Sequence, residues 1–103
     1  MKKILITGAS GGIGSSISNK FFKNEYKMIL TSSSETTLSK LKLKYGNNHY
    51  YYVLDFKNPD ENNIILKKIS EEHQDLNVIV NNAGITDDSL LLRMKTDQWN
   101  NVI

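Results

Sequence analysis

Apolar residues follow two different spacings along this chain. Four short runs are rich in aliphatic, β-branched or aromatic residues, which is typical of buried strands. Each of the first three runs is followed by apolar residues three or four positions apart, the spacing of one helix face. The predicted strands are Lys3 to Thr7, Lys27 to Thr31, Tyr50 to Asp55 and Leu76 to Asn81, and the helical faces carry Ile13, Ile17 and Phe21, then Leu38, Leu41 and Tyr45, then Ile65 and Ile69.

Capping signals indicate where the predicted helices begin and end. The first helix runs from near Gly12 to near Asn24, and the second stops at Gly46, a common residue just after a helix. An asparagine N-cap followed by Pro59 and two acidic residues starts the third helix. A fourth helix is predicted to open at Thr96, ahead of a tryptophan and a valine at helical spacing.

The predicted order of elements alternates strands with helices. Parallel neighbouring strands need crossovers of a dozen or more residues, and helices of this length serve as those crossovers. The fold class is therefore α/β, with a doubly wound parallel sheet between two layers of helices in a three-layer αβα arrangement. Right-handed crossovers are expected throughout. In this prediction the fourth strand is the last of the sheet, so its outer edge is exposed.

Composition narrows the class of protein. The chain has 103 residues, 39% of them hydrophobic and 23% charged, which suits one globular domain. Aliphatic runs are at most three residues long, so we expect no transmembrane segment, no signal peptide and a cytoplasmic location. A net charge of +2 is too small for nucleic acid to be an expected partner. With no cysteine, and with His49 and His73 far apart, no metal site is predicted.

A glycine-rich turn joins the first predicted strand to the first helix. Glycines there let the chain turn sharply, let a pyrophosphate approach without meeting a Cβ, and direct the N–H groups of the helix N-terminus at the anion. A tight loop without a ligand is the alternative for such a turn taken alone. The predicted phosphate-binding residues are Thr7, Gly8, Ala9, Ser10, Gly11, Gly12, Ile13 and Gly14.

The spacing within this turn resembles one family. A P-loop is excluded because no Gly-Lys-Ser/Thr follows. The turn reads T-G-x-x-x-G-x-G, the cofactor signature of the short-chain dehydrogenase/reductase family, although Gly11 lets it also fit the T-G-x-x-G-x-x-G of longer sugar-nucleotide epimerases and dehydratases. The N-N-A-G from Asn81 to Gly84, at the end of the fourth strand, matches the second hallmark of the shorter branch. This resemblance implies a Rossmann-type fold and a nicotinamide dinucleotide.

The stretch after that hallmark resembles a narrower group. Gly84 to Lys95, followed by Trp99, looks like the 3-oxoacyl-acyl-carrier-protein reductases, whose corresponding stretch runs G-I-T-x-D-x-L-x-x-R-M-K and then W. The resemblance implies NADPH-dependent reduction of a 3-oxoacyl thioester on acyl carrier protein, in fatty acid biosynthesis, by a homo-oligomer, typically a tetramer. Another carbonyl or alcohol substrate stays open, and so does a non-catalytic nucleotide-binding module.

The end of the second strand favours NADP(H) over NAD(H). An acid there normally receives the ribose hydroxyls of NAD, whereas Thr31 and Ser33 are hydroxyl donors and no acid precedes Glu35. Gly11 departs from the resemblance, because those reductases usually carry an arginine inside the turn. The remaining cofactor residues are implied by the family positions and are Asp55, at the position that bonds the adenine amino group, then Phe56, Asn82, Ala83 and Gly84.

The catalytic residues of the family have no match in this chain. The family takes its proton from the tyrosine of a Tyr-x-x-x-Lys pair, and none of the five tyrosines here has a lysine four residues on. The family's asparagine, serine and tyrosine-lysine pair would all come beyond Ile103. We therefore expect residues 1–103 to be the N-terminal cofactor-binding half of a single Rossmann-fold domain, without its catalytic half and inactive by itself.

Overall fold

The computed structural model describes residues 2–55, 58–82 and 101–102 of the chain. Strands and helices alternate through most of this length, and none of the described helices is long and apolar enough to cross a membrane. The elements are β1 (Lys3–Thr7), α1 (Gly12–Lys23), β2 (Lys27–Ser32), α2 (Glu35–Tyr45), β3 (Tyr50–Val53), α3 (Pro59–Glu72), β4 (Val78–Asn81) and β5 (Asn101–Val102).

The described strands form one parallel sheet in the order β3-β2-β1-β4-β5. β1 lies at its centre, where Leu5 pairs with Ile29 of β2 on one side and with Ile79 of β4 on the other. The chain winds outward from β1 to β3 and then returns to the far side of β1. Ligands of such sheets bind at the carboxyl ends of the strands beside this reversal. The carboxyl ends of β1 and β4 therefore mark the place to look for a site.

Two apolar layers cover the sheet, one on each face. On one face, Leu5, Ile29 and Ile79 pack with Leu66 and Ile69 of α3. Successive residues of a strand point to opposite faces of the sheet. Because both faces are covered here, the strands need apolar residues at every position. The α/β class and the Rossmann-type layering predicted from the sequence are confirmed. The layer on the other face comprises Ile4, Ile6, Ala9, Met28, Leu30, Leu38, Leu41, Tyr45, Val78 and Val80.

The apolar face predicted for the first helix is interrupted at its start. Ile17 and Phe21 of α1 pack against the core layer that also contains α2. Ile13, which shares their spacing, remains 72% exposed. It lies in the first turn of α1. Helical spacing indicates which side of a helix faces the core, but it does not indicate how far along the helix the sheet extends.

The fourth helix predicted from the sequence is wrong where the structure describes it. Asn101–Val102 forms β5, which lies parallel to β4 with Val78 and Ile79 as its partners. β4 is therefore not the exposed edge that the sequence predicted. Pairing gives the outer N–H and C=O groups of β4 backbone partners, and Val102 is β-branched, which suits a strand. The predicted helix opening at residues 96–100 lies outside the described residues.

Candidate functional site

The carboxyl ends of β1, β2 and β4 meet at one edge of the sheet, where they border a cavity of about 240 Å³. The glycine turn forms one wall, hydroxyl groups at the end of β2 form another, and an amide after β4 forms a third. The residues around it are Gly8, Ser10, Gly11, Thr31, Ser32, Ser33, Leu54 and Asn82. None of these side chains is ionisable. Within the described part of the chain, the cavity therefore offers N–H, hydroxyl and amide groups and no carboxylate.

Three hydrogen bonds hold the glycine turn against the neighbouring strand ends. The Ala9 N–H donates to the Thr31 carbonyl oxygen at 2.9 Å, and the Gly8 N–H donates to the Thr31 hydroxyl oxygen at 3.3 Å. From the other side, Nδ2 of Asn82 donates to the Gly8 carbonyl oxygen at 3.0 Å. Gly8 has a φ of 64°, a conformation that glycine adopts without a Cβ penalty. The turn is thus fixed by β2 and by the residue that follows β4.

Gly14 is the glycine at which the turn and α1 come closest together. A Cβ added at this position would lie 2.0 Å from the Gly8 carbonyl oxygen and 2.9 Å from Nδ2 of Asn82. At Gly11 and Gly12, by contrast, an added Cβ would meet nothing within 4 Å. The glycines of the turn therefore have different structural roles. Gly14 permits close packing of the helix on the turn, whereas Gly11 and Gly12 leave the front of the turn open.

The N-terminus of α1 is less neutralised than those of the other long helices. Gly11 is its N-cap, with no side-chain cap hydrogen bond and no acid in the first turn. The Ser34 side chain caps α2, whose first turn also contains Glu35, and α3 carries Asp60 and Glu61 in its first turn. Acids there complement the positive end of the helix dipole. The uncapped N–H groups and open front of α1 therefore fit the pyrophosphate of a dinucleotide.

The hydroxyl residues at and just beyond the end of β2 divide into buried and exposed groups. Thr31 is 1% exposed, and its hydroxyl oxygen receives the Gly8 N–H. Ser32 is also buried, with its Oγ 3.5 Å from that of Ser10. Ser34 accepts from the backbone of α2 as an N-cap. Ser33 is exposed at the cavity. Of these side chains, Ser33 and Ser10 are therefore the ones placed to meet a ligand.

Thr7 links the end of β1 to β4 behind the cavity. It is fully buried, and its hydroxyl donates to Oδ1 of Asn81 at 3.0 Å while lying 3.4 Å from the Val80 carbonyl oxygen. The two consecutive asparagines therefore act on different parts of the site. Asn81 joins β4 to β1, and Asn82 reaches across to the Gly8 carbonyl oxygen. Both contacts position the turn, so part of the role of the N-N-A-G motif is to hold the site together.

The structure brings together six of the residues predicted for cofactor binding. Three other predicted residues, Thr7, Ala9 and Gly14, hold the turn from behind, and Gly12 and Ile13 are exposed at the start of α1. The six residues around the cavity are Gly8, Ser10, Gly11, Thr31, Ser33 and Asn82.

Asp55 does not line this cavity. It borders a separate one of about 240 Å³ with Val53 and with residues of α3 that include Asn62 and Ile65. Predicted residues Phe56, Ala83 and Gly84 lie outside the described residues. Two lining residues were missed by the sequence-based prediction. Ser32 belongs to the same hydroxyl run as its predicted neighbours, and Leu54 directly precedes Asp55, so strand-end position was the signal that could have found both.

No group of three or more His, Cys, Asp or Glu side chains within the described ranges is placed to hold a metal ion. The chemistry available at the cavity is therefore that of hydrogen-bond donors around an open helix N-terminus. Such an arrangement can bind and orient a phosphate-containing ligand. It holds no described side chain with the properties of a general acid or base.

Comparison with known proteins places this chain in a family. The model of the family described as short chain dehydrogenase matches residues 2–103. The chain is 37% identical over 102 residues to the 3-oxoacyl-[acyl-carrier-protein] reductase FabG of Vibrio cholerae, covering 99% of this chain and 42% of the relative. The corresponding reductase of Rickettsia typhi is 41% identical over 102 residues, covering 99% of this chain and 41% of the relative. The chain thus spans less than half the length of these relatives.

A solved structure supports the same assignment at the level of the backbone. The structure of ElxO with NADP bound aligns with a TM-score of 0.67 and 33% sequence identity. The alignment covers 79% of this chain and 34% of that one. The glycine turn and the two asparagines at the end of β4 are the features that the family signatures describe. The chain therefore belongs to the short-chain dehydrogenase family of oxidoreductases.

Proposed function

We propose that this chain is the dinucleotide-binding part of an NADPH-dependent reductase. The observation that carries the proposal is the cavity at the carboxyl edge, where the open N-terminus of α1 meets lining residues that, among those the structure describes, carry no carboxylate. The glycine turn would bind the pyrophosphate through backbone N–H groups. When bound, a nicotinamide dinucleotide supplies the hydride for reduction of a carbonyl. The residues of this chain bind and orient that cofactor.

The preference for NADP(H) rests on the residues that follow β2. An acid at this place would repel a 2′-phosphate, and instead Ser33 is an exposed hydroxyl with Ser10 beside the same cavity. Hydroxyl groups donate hydrogen bonds to phosphate oxygens, but they do not neutralise the charge of the phosphate. Gly11 stands where the related reductases usually have an arginine. We therefore propose a preference for NADPH that is weaker than an arginine would give.

The preference is tested by titrating the chain with NADPH and NADH and following the bound cofactor by fluorescence. NADPH should bind more tightly, and Ser33→Asp should weaken NADPH binding by about tenfold or more through like-charge repulsion while sparing NADH. Ser39→Asp, at an exposed position on α2, is the control of equal charge and should change neither affinity. Equal affinities for the two cofactors, unaffected by Ser33→Asp, would contradict the proposed preference.

Gly11 offers a test in the opposite direction. Its φ of −70° and ψ of 173° are extended backbone that any residue adopts, and an added Cβ meets nothing within 4 Å. Gly11→Arg should therefore fold normally and raise the affinity for NADPH over NADH by about tenfold. Gly11→Gln, of similar length without the charge, is the matched control. An equal gain for both cofactors would show that the side chain does not meet the 2′-phosphate.

For the whole protein we propose reduction of 3-oxoacyl groups carried on acyl carrier protein, in fatty acid biosynthesis. Similarity to the reductases of Vibrio cholerae and Rickettsia typhi supports this substrate class. The test is the rate of NADPH oxidation by the full-length protein with an acetoacetyl thioester, compared with simple ketones. Faster turnover of simple ketones would favour another carbonyl substrate. Cofactor binding without turnover of either would favour a non-catalytic nucleotide-binding module.

We further propose that residues 1–103 alone turn over no substrate, and that the full-length protein is a cytoplasmic homotetramer without a membrane or nucleic-acid partner. Light scattering after size exclusion measures the oligomeric state, and a monomer would contradict that part of the proposal. The activity assay applied to residues 1–103 tests the other part. Measurable reduction of the acetoacetyl thioester by these residues would overturn it.

A further inference from the structure

The opposite edge of the sheet holds a second polar cluster, at the amino ends of the strands. Lys3, at the start of β1, is 9% exposed, and His73, directly after α3, is 2% exposed. Nζ of Lys3 lies 3.2 Å from Nδ1 of His73 and donates to Oδ1 of Asp75 at 2.8 Å. On the other side of the ring, Nε2 of His73 lies 2.9 Å from the Tyr52 hydroxyl oxygen. The imidazole thus connects β1 with β3.

The partners of His73 determine which of its nitrogens carries a proton. A lysine ammonium group is a donor without acceptor capacity, so Nδ1 of His73 accepts. In the neutral ring the proton then resides on Nε2, which donates to the Tyr52 hydroxyl. That hydroxyl in turn donates to Oε1 of Glu72 at 2.9 Å. Donation therefore runs in one direction from Lys3 to Glu72, and it requires a neutral imidazole.

His49 makes an equivalent contact just before β3. Its Nδ1 accepts the Met28 backbone N–H at 3.0 Å. Because a backbone N–H only donates, this contact also requires an unprotonated Nδ1. The ring lies against Phe22 of α1, with 5.7 Å between ring centroids. His49 therefore ties the residue preceding β3 to the start of β2, as His73 ties β3 to β1.

The charged and titratable groups around both rings come from every neighbouring element. Lys27 of β2 and Lys3 of β1 have their Nζ atoms 5.9 and 5.2 Å from the Tyr50 ring centroid, and that ring lies 4.4 Å from the His73 ring. Tyr52, Glu72 and Asp75 complete the surroundings of His73. A cavity beside His49 is bordered by Lys42 of α2, Lys68 of α3, Glu72 and three tyrosines of β3.

We propose that His49 and His73 form an acid-sensitive clasp, which holds the amino end of β3 on β2 and β1 near neutral pH and releases it on protonation. Protonation places a hydrogen on each Nδ1, directed at the Met28 N–H and at the Lys3 ammonium group. Both hydrogen bonds are then lost, and at His73 two positive charges face each other. The clasp lies at the opposite edge from the dinucleotide cavity and does not depend on the proposed function.

The pH range over which the clasp acts follows from the pKa shifts of the two histidines in the folded state. Burial lowers the pKa of His49, assisted by Lys27. Burial also lowers the pKa of His73, with Lys3 acting in the same direction and Glu72 and Asp75 opposing it. The clasp therefore contributes fully above about pH 6.5, the value for an unfolded histidine, and is lost as pH falls below it. The unfolding constant should rise by up to about tenfold per pH unit for each histidine.

The test compares the full chain with the double variant His49→Asn and His73→Asn. Asparagine places an oxygen acceptor near each Nδ1 position and does not titrate. Between pH 7 and 5.5 the unfolding constant of the unaltered chain should rise by about tenfold or more, while that of the double variant should rise much less. Backbone hydrogen-exchange protection at Met28 and β3 should fall over the same range without a comparable fall at β4. Equal pH dependence in both chains would overturn the proposal.

Two further measurements keep the test decisive if the double variant folds poorly. Ring nitrogen NMR of the unaltered chain should show both histidines neutral at pH 7 with the proton on Nε2, and protonation of either Nδ1 at that pH would overturn the proposal. Lys27→Met removes a positive charge that acts on His49, so it should move the acid transition of His49 to higher pH and leave that of His73 nearly unchanged. An unmoved His49 transition would count against the clasp.

Discussion

The two edges of the sheet carry polar groups at opposite ends of the same strands and use them differently. At the carboxyl edge, Thr31 and Asn82 hold the backbone of the glycine turn, and the front of the turn is left open. At the amino edge, the buried side chains of Lys3 and His73 bond to other side chains, in a partly buried network. An edge that binds a ligand keeps donors available, whereas an edge that closes the fold satisfies them internally.

The difference also concerns charge. The described residues that line the carboxyl-edge cavity include no ionisable side chain, so their contribution to ligand binding should be nearly constant between pH 5 and 8. At the amino edge, burial and neighbouring lysines lower the pKa values of His49 and His73, so the stability contributed by this edge should change over that range. Substitutions at the two edges should therefore separate cofactor binding from pH-dependent stability. The following changes test that separation.

The largest effect is expected from Gly14→Ala at the carboxyl edge. The added Cβ would lie 2.0 Å from a backbone oxygen, which cannot move away as a flexible side chain can. We expect a loss of about 3 kcal/mol or more in the free energy of unfolding, with loss of NADPH binding. Urea unfolding measures the first and cofactor titration the second. Gly12→Ala, whose Cβ has open space, is the control for stability, and an equal loss in the free energy of unfolding from both changes would contradict this account.

The next largest effect is expected from Lys3→Met at the amino edge. This change leaves the buried Nδ1 of His73 without its donor, and we expect a loss of about 2 kcal/mol in the free energy of unfolding at pH 7. The Asp75 contact contributes little, because that side chain is 70% exposed. Lys2→Met, at an exposed position, is the control. NADPH affinity should not change, and a parallel loss of affinity would show that the two edges are coupled.

A smaller effect is expected from Asn82→Ala. The Gly8 carbonyl oxygen loses its side-chain donor, which should lower the free energy of unfolding by about 1 kcal/mol. Cofactor binding should weaken more than stability suggests, because the loosened turn is the proposed phosphate site. Asn63→Ala, at an exposed position on α3, serves as the control. Unchanged affinity in Asn82→Ala would mean that the turn keeps its shape without this contact.

The smallest effect is expected from Tyr52→Phe. The change removes the hydroxyl that receives the His73 Nε2–H and donates to Glu72, and we expect a loss of about 0.5–1 kcal/mol in the free energy of unfolding. The Lys3 contact with Nδ1 is retained, so the loss of stability between pH 7 and 5.5 should persist. Urea unfolding at the two pH values measures both. If the pH dependence of stability disappeared, it would arise from the hydrogen bond between His73 and the Tyr52 hydroxyl instead.

The sequence alone predicted the elements that depend on local pattern. The glycine turn, the strands that flank it and the start of α3 at Pro59 follow from residue types within a few positions of one another. Its errors arose where distant residues decide. Ile13 has the spacing of a core residue but remains exposed, and residues 101–102 pair with β4 instead of forming a helix. Neither outcome is encoded in a short window.

The candidate site shows the same division. Gly8, Gly11 and Gly14 were identified together from their spacing, but only the fold separates the glycine that permits close packing from those that leave the turn open. The run of hydroxyl residues at the end of β2 looked uniform in the sequence. In the structure, Thr31 accepts a hydrogen bond from the glycine turn, Ser34 caps a helix, and Ser33 lines the cavity. The direction of each side chain decides these roles.

By itself, the sequence determined the alternation of strands and helices, the glycine turn and the family signatures, because apolar spacing and glycine positions act through local geometry. Tertiary structure alone decided which polar groups meet. It brought Asn82 to Gly8, and it joined Lys3 to His73 across 70 positions of sequence. Burial then lowered the pKa of a histidine that looked ordinary in the sequence. Such contacts exist only after the parallel sheet has brought distant strand ends to a common edge.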